Sequence, residues 1–223
     1  MQRPSLPRRA RGPLSLLATA SVAAALLATS VAPARSGKGS PPPGRKPTVV
    51  LVHGAFADAS SWNGVVQRLS REGYPVVAAA NPLRGLGIDA AHLKEVLADI
   101  DGPVVLAGHS YGGSVISDAA QSLKNVKALV CIAAFLPEKG ESAVELSGKF
   151  PGSTLGEALR PVPVTLPDGS QGTDLYIEQV TFHAQFAADV PPSTTEVRAS
   201  HAVSVSRPGD VVRVIEAAAG AAR

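Results

Sequence analysis

The sequence holds a single cysteine, Cys131, in 223 residues, so no internal disulfide can staple the fold. Cys131 lies in an apolar run and reads as a small buried hydrophobe rather than a reactive thiol. Charge is also scarce, at 17% of residues against 45% apolar. That balance can fill a core and excludes wholesale disorder. Acidic residues are missing altogether before residue 35, where Arg3, Arg8, Arg9 and Arg11 supply four of the 21 basic side chains. The remainder carries 17 basic residues against 18 acidic ones, so the nominal pI of 9.2 gives no electrostatic argument for nucleic acid. No internal repeat is present, and the length suits one domain.

The first 34 residues read as a secretory signal. A basic stretch, Met1 to Arg11, precedes an apolar run from Leu14 to Val31, and Ala32-Pro33-Ala34 offers the small-x-small pattern of a cleavage site. Arg8-Arg9 admits a twin-arginine route, although its surroundings match one poorly. The run is long enough to span a membrane as an uncleaved anchor, but it is rich in Ala, Ser and Thr. The expectation is therefore cleavage and secretion. No cysteine follows the signal to carry a lipid, so no stable membrane association is expected after cleavage. Residues 35–47, with Pro41, Pro42, Pro43, Pro47, Gly37, Gly39 and Gly44, form an extended linker.

From residue 48 the pattern becomes α/β. Thr48 to Val52, Pro75 to Ala80, Val104 to Ala107 and Val126 to Ala134 are apolar runs that read as buried strands. Between them lie helical stripes: Trp62, Val65, Val66 and Leu69; then Leu93, Val96, Leu97 and Ile100; then Val115, Ile116, Ala119 and Leu123. This alternation predicts a mostly parallel sheet with helices on both faces. About 138–192 breaks the pattern and reads as a small cap. Within it, Val162, Val164 and Leu166 alternate ahead of a turn at Asp168-Gly169, and Leu175 to Phe186 is expected to be helical. A short strand at Thr194 to Arg198 and a terminal helix opened by Pro208 follow.

Gly108-His109-Ser110-Tyr111-Gly112 falls between a buried strand and a helix. With 21 glycines in the chain the string alone carries little. In that context it is the strand–turn–helix of a nucleophile elbow, with Ser110 as nucleophile. Gly108 and Gly112 are expected where a Cβ would crowd the turn. A serine hydroxyl needs a base within reach. Of the five histidines, His53 is expected to order its loop, His92 to be solvated, His109 to diverge from its neighbour, and His183 to lie in the cap. His201 follows the last strand, and the Ser-first, His-last order makes it the expected general base. Backbone N–H groups of Tyr111 and Ala55 are the expected oxyanion donors.

Val50-Leu51-Val52-His53-Gly54-Ala55-Phe56, the elbow with Gly113, Ala133-Ala134-Phe135-Leu136-Pro137 and Ser200-His201-Ala202-Val203-Ser204 together resemble bacterial α/β-hydrolases similar to plant methylesterases and hydroxynitrile lyases. The resemblance spans about 47–222. It implies an α/β-hydrolase fold and a serine acyl-enzyme inside a capped apolar pocket, without metal or cofactor, acting on small esters. One part of that pattern is absent. The strand–helix unit that usually carries the triad acid is missing ahead of Thr194, which implies a shortened sheet with the last strand beside Val126 to Ala134. Glu138 is the remaining candidate acid. The expected function is cleavage of a small or medium apolar carboxylic ester. A catalytically weak or inactive binding protein and a non-hydrolytic enzyme of the hydroxynitrile-lyase kind are the alternatives. N-terminal sequencing of exported protein should find its first residue near Arg35; an intact Met1 in membrane fractions would instead establish an anchor.

Overall fold

Strand β1 is Thr48–Val52, and all of its residues are buried. It lacks polar–apolar alternation because both its faces are covered. The computed structural model describes residues 45–149, 152, 154–166, 168–182 and 202–222. Among these, β2 (Val76–Ala79) pairs with one side of β1 and β3 (Val104–His109) with the other, and β4 (Val126–Ile132) lies beyond β3. Every pair is parallel, as the alternating pattern predicts.

The connections are a 3₁₀ turn at Ala59–Trp62 followed by α1 (Asn63–Arg71), then α2 (Leu86–Ala98), then α3 (Tyr111–Ala120). A short helix α5 (Val203–Ser206) and α6 (Pro208–Ala221) close the chain, Pro208 occupying the first turn of α6; α4 (Ala143–Gly148) lies in the cap region. Strand residues alternate between two cores. Val49, Leu51, Val105 and Ala107 meet Val65 and Leu69 of α1 and Val211 and Ile215 of α6. Val50, Val52 and Leu106 meet Leu93 and Leu97 of α2 and Val115 and Ile116 of α3. A full truncation such as Leu51→Ala or Leu106→Ala removes about 2–5 kcal/mol in such sites, so each layer is essential to the sheet. After β1 the chain crosses to the α1 layer, and after β3 to the α3 layer. The two exits diverge at the carboxyl ends of these neighbouring strands, the position at which open α/β sheets bind ligands.

Two elements differ from expectation. β4 stops at Ile132 rather than Ala134, because Ala133 takes a left-handed backbone with φ 43°. In the cap, β5 (Leu159–Thr165) pairs antiparallel with β6 (Gln171–Ile177), so Leu175 begins no helix. The turn is the one expected: Gly169 has φ 83°, and the Asp168 carboxylate accepts from the Ser170 N–H and hydroxyl. Once it closes, the backbone of Leu175, Tyr176 and Ile177 is matched to that of Pro161, Arg160 and Leu159. Ladder pairing outweighs the sparse helical spacing of Leu175, Val180 and Phe182. Among the described residues β4 is the edge strand beyond β3, as β2 is at the opposite edge; the expected strand at 194–198, and its pairing, lie outside them.

α3 starts hard against β1, where a Cβ on Gly112 would stand 2.5 Å from the Val52 carbonyl oxygen. Neither group can swing aside, since both belong to the backbone. Gly112→Ala should therefore cost about 1–3 kcal/mol by overpacking, lowering the melting temperature by about 2–4 °C per kcal/mol in a chain of this size. Thermal denaturation checks this, and a wild-type melting temperature would contradict the packing described.

Candidate active site

Ser110 lies between the last residue of β3 and the first of α3, with φ 54° and ψ −124°. Such a conformation costs a non-glycine residue about 1–3 kcal/mol and persists only where surroundings over-determine it. Here they do. The Ser110 N–H donates to the Ile132 carbonyl at 3.2 Å, and its own carbonyl accepts from the N–H groups of Gly113 and Phe135, both at 3.0 Å. The steric demand foreseen at Gly108 and Gly112 is present: a Cβ on Gly108 would lie 2.5 Å from the Gly112 oxygen. Gly54 and Gly113 carry the same demand and were not singled out for it. A Cβ on Gly54 would meet Ser110 Cβ at 2.7 Å, and one on Gly113 would meet Ala134 Cβ at 2.6 Å. For Gly113 the sequence signal was the doubled Gly112-Gly113; for Gly54 there was none.

His53 orders the loop after β1, as expected. It is buried, and its Nε2 accepts from the Asn81 backbone N–H at 3.0 Å. Nε2 is therefore unprotonated, so Nδ1 carries the hydrogen and donates it to the Gly54 carbonyl at 2.9 Å. Asn81 Nδ2 returns a bond to the His53 carbonyl. In a trans peptide the C=O and N–H point opposite ways. Drawing the Gly54 oxygen towards His53 thus turns the Ala55 N–H away from it. Phe56 follows with φ 61° and bends the loop. Tyr111 is the first residue of α3, a position whose N–H has no acceptor within the helix and faces the positive end of its dipole. The structure brings the Gly54–Ala55 loop against Ser110 and puts Tyr111 beside it.

The Tyr111 phenol donates to Asp89 Oδ2 at 2.8 Å, and Asp89 Oδ1 accepts from the Arg84 backbone N–H at 2.9 Å. Asp89, only 1% exposed in the first turn of α2, was not foreseen: nothing local distinguishes it from a helix-end acid. Burial, reinforced by the bond to Asp89, pushes the Tyr111 phenol well above its ordinary value of 10.0. The Arg84 guanidinium makes two bonds to Asp174 of β6, at 2.9 and 3.1 Å.

Glu138 follows β4, its carboxylate exposed and its backbone N–H held by Glu141 Oε2 at 2.9 Å. His201 and His183 lie outside the described residues. His109 is buried edge-on to Trp62, ring centroids 6.4 Å apart, so its ring enters the α1 layer while Ser110 stays at the strand end. Cys131 is half-buried, and that burial raises its thiol pKa. No cluster of three or more His, Cys, Asp or Glu able to hold a metal forms among the described residues.

The profile of the alpha/beta hydrolase family matches residues 49–218. A carbendazim hydrolyzing esterase from a Nocardioides species is 32% identical over 115 residues, 45% of this chain and 47% of that protein. The chain thus spans about half the length of this curated relative. Among solved structures, polyneuridine aldehyde esterase is 26% identical with a TM-score of 0.52, covering 63% of this chain and 61% of that one. A pyrethroid hydrolase from Sphingobium faniae is 20% identical with a TM-score of 0.59, covering 78% and 98%, a likeness of fold alone.

The raised phenol pKa has a consequence for stability. The folded protein holds the proton more tightly than the unfolded chain, so this contribution is complete below pH 10.0 and is lost as pH rises through the folded value. Denaturant titrations at rising alkaline pH should show wild type losing stability above pH 10.0 more steeply than Tyr111→Phe. Parallel curves would place the phenol in water.

Proposed function

Because this chain belongs to the alpha/beta hydrolase family, we propose that it is an exported serine hydrolase cleaving a small or medium apolar carboxylic ester through an acyl-enzyme on Ser110. The observation that carries this reading is the strained Ser110, φ 54°, seated at the carboxyl end of β3 with the Gly54 loop packed on it. Strain of that kind persists where a side chain must be presented to a ligand. The esterase activity for which the Nocardioides relative and polyneuridine aldehyde esterase are named supports ester chemistry.

In this mechanism Ser110 Oγ attacks the ester carbonyl while His201 takes its proton. The developing oxyanion is met by the N–H groups of Ala55 and Tyr111, whose fixed positions require no reorganisation during the reaction. The imidazolium then gives its proton to the departing alkoxide, leaving the acyl group on Ser110. Water, deprotonated by His201, attacks that acyl group, and the carboxylic acid leaves as Ser110 recovers its proton. No metal or cofactor takes part.

Glu138 is the candidate to orient His201, although Glu138 is itself exposed. Loss of an orienting acid costs about 10⁴ in rate in a serine triad. That exposure favours a second reading, in which the pocket binds its ligand and turns it over slowly or not at all.

A fluorophosphonate probe should label the wild type once, and Ser110→Ala should abolish the label. A panel of p-nitrophenyl esters of rising acyl length should be hydrolysed by the wild type and not by Ser110→Ala. Labelling without turnover selects the second reading; equal labelling of both proteins removes Ser110 from the chemistry.

A further inference from the structure

One residue outside the Ser110 chemistry touches two parts of the molecule at once. Arg84 gives its backbone N–H to buried Asp89, which holds the Tyr111 phenol, and gives its guanidinium to Asp174 on the β5–β6 hairpin. The connecting loop is shaped for this. Leu83 and Gly85, on either side of Arg84, both have left-handed backbone, φ 57° and 118°. A branched side chain such as Leu83 resists that region, so the loop adopts a strained form that presents Arg84 to both carboxylates. Isolated surface ion pairs hold little, but a two-bond guanidinium–carboxylate fork fixes direction as well as distance. The Arg84 and Asp174 side chains are only 37% and 21% exposed.

Tyr111 is the neighbour of Ser110, and its N–H is a proposed oxyanion donor. Its phenol is therefore a tether on the residue whose peptide must stay aimed. We propose that Asp89 and Arg84 are positioning residues that tie the seating of the cap hairpin to the oxyanion donor at Tyr111, so that displacing the hairpin lowers turnover at Ser110. The inference rests on the serine-hydrolase reading. It adds a specific route, Asp174 to Arg84 to Asp89 to Tyr111, along which the hairpin acts on the chemistry at Ser110.

The link is tested in the full chain with p-nitrophenyl butyrate, measuring kcat and KM separately. Asp89→Ala should lower kcat about 10-fold with little change in KM, less than the ~10²–10³ lost when an oxyanion donor is removed outright. Asp89→Asn should recover most of that loss, since its oxygen can accept from the Arg84 N–H and its amide can donate to the phenol oxygen. Asp174→Ala should lower kcat about 3-fold, and Arg84→Ala, which keeps its backbone N–H, should match it. The Asp89→Ala/Asp174→Ala double variant should be no slower than Asp89→Ala, the non-additivity expected of residues acting along one route. A double variant slowed by the product of the single effects, or wild-type kcat in Asp174→Ala, overturns the link. Asp174 and Arg84 are surface positions, so their comparison decides the matter even if Asp89→Ala does not fold. A wild type without esterase activity would instead overturn the hydrolase reading and, with it, this proposal.

Discussion

The ends of β1 and β3 come so close that no side chain fits between them. Their parallel register sets Val52 opposite Gly108, and immediately beyond it the Gly54 backbone lies against Ser110. The glycines at 108 and 113 answer to the packing of the elbow on itself and on the segment after β4, while those at 54 and 112 are consequences of that approach. It is possible because both strands are buried on both faces. The α1 and α6 layer and the α2 and α3 layer press on the same strands from opposite sides, leaving the turn no space in which to relax.

The strain at Ser110 is balanced locally. Its N–H and C=O groups are bonded to Ile132, Gly113 and Phe135, so the segment after β4 works as a brace for the nucleophile rather than as a free connection. Ala133, itself left-handed, gives that segment the bend it needs to reach. On the other side, one buried imidazole does for the β1 loop what these bonds do for the elbow. Its protonation pattern is dictated by Asn81, a residue at the end of a third strand. The ends of β1, β2 and β4 thus share in fixing the surroundings of Ser110.

β1 and β3 were legible in the sequence because a doubly buried strand must be apolar throughout, and runs such as Thr48–Val52 have no other simple reading; the less buried β2 and β4 were legible from short apolar runs set between helical stripes. The elbow was legible because its glycines and serine sit at a strand-to-helix boundary. The β6 strand was not, since Leu175, Val180 and Phe182 fit a helical stripe until the pairing partner at Leu159–Thr165 is known. Asp89 and Gly54 were illegible for the same reason in sharper form. What makes them necessary is a neighbour distant in sequence, the Tyr111 phenol in one case and Ser110 Cβ in the other, and no local pattern records such a neighbour.

Trp62 is the chain's single tryptophan, fully buried and edge-on to His109. The protein's tryptophan fluorescence therefore arises from one indole, packed against the residue next to the nucleophile. An imidazole in that position is a potential quencher whose efficiency depends on ring separation and angle. The molecule consequently carries a built-in optical gauge of its own elbow: with the indole excited selectively over the tyrosines, emission intensity and lifetime follow the geometry beside Ser110 without a label.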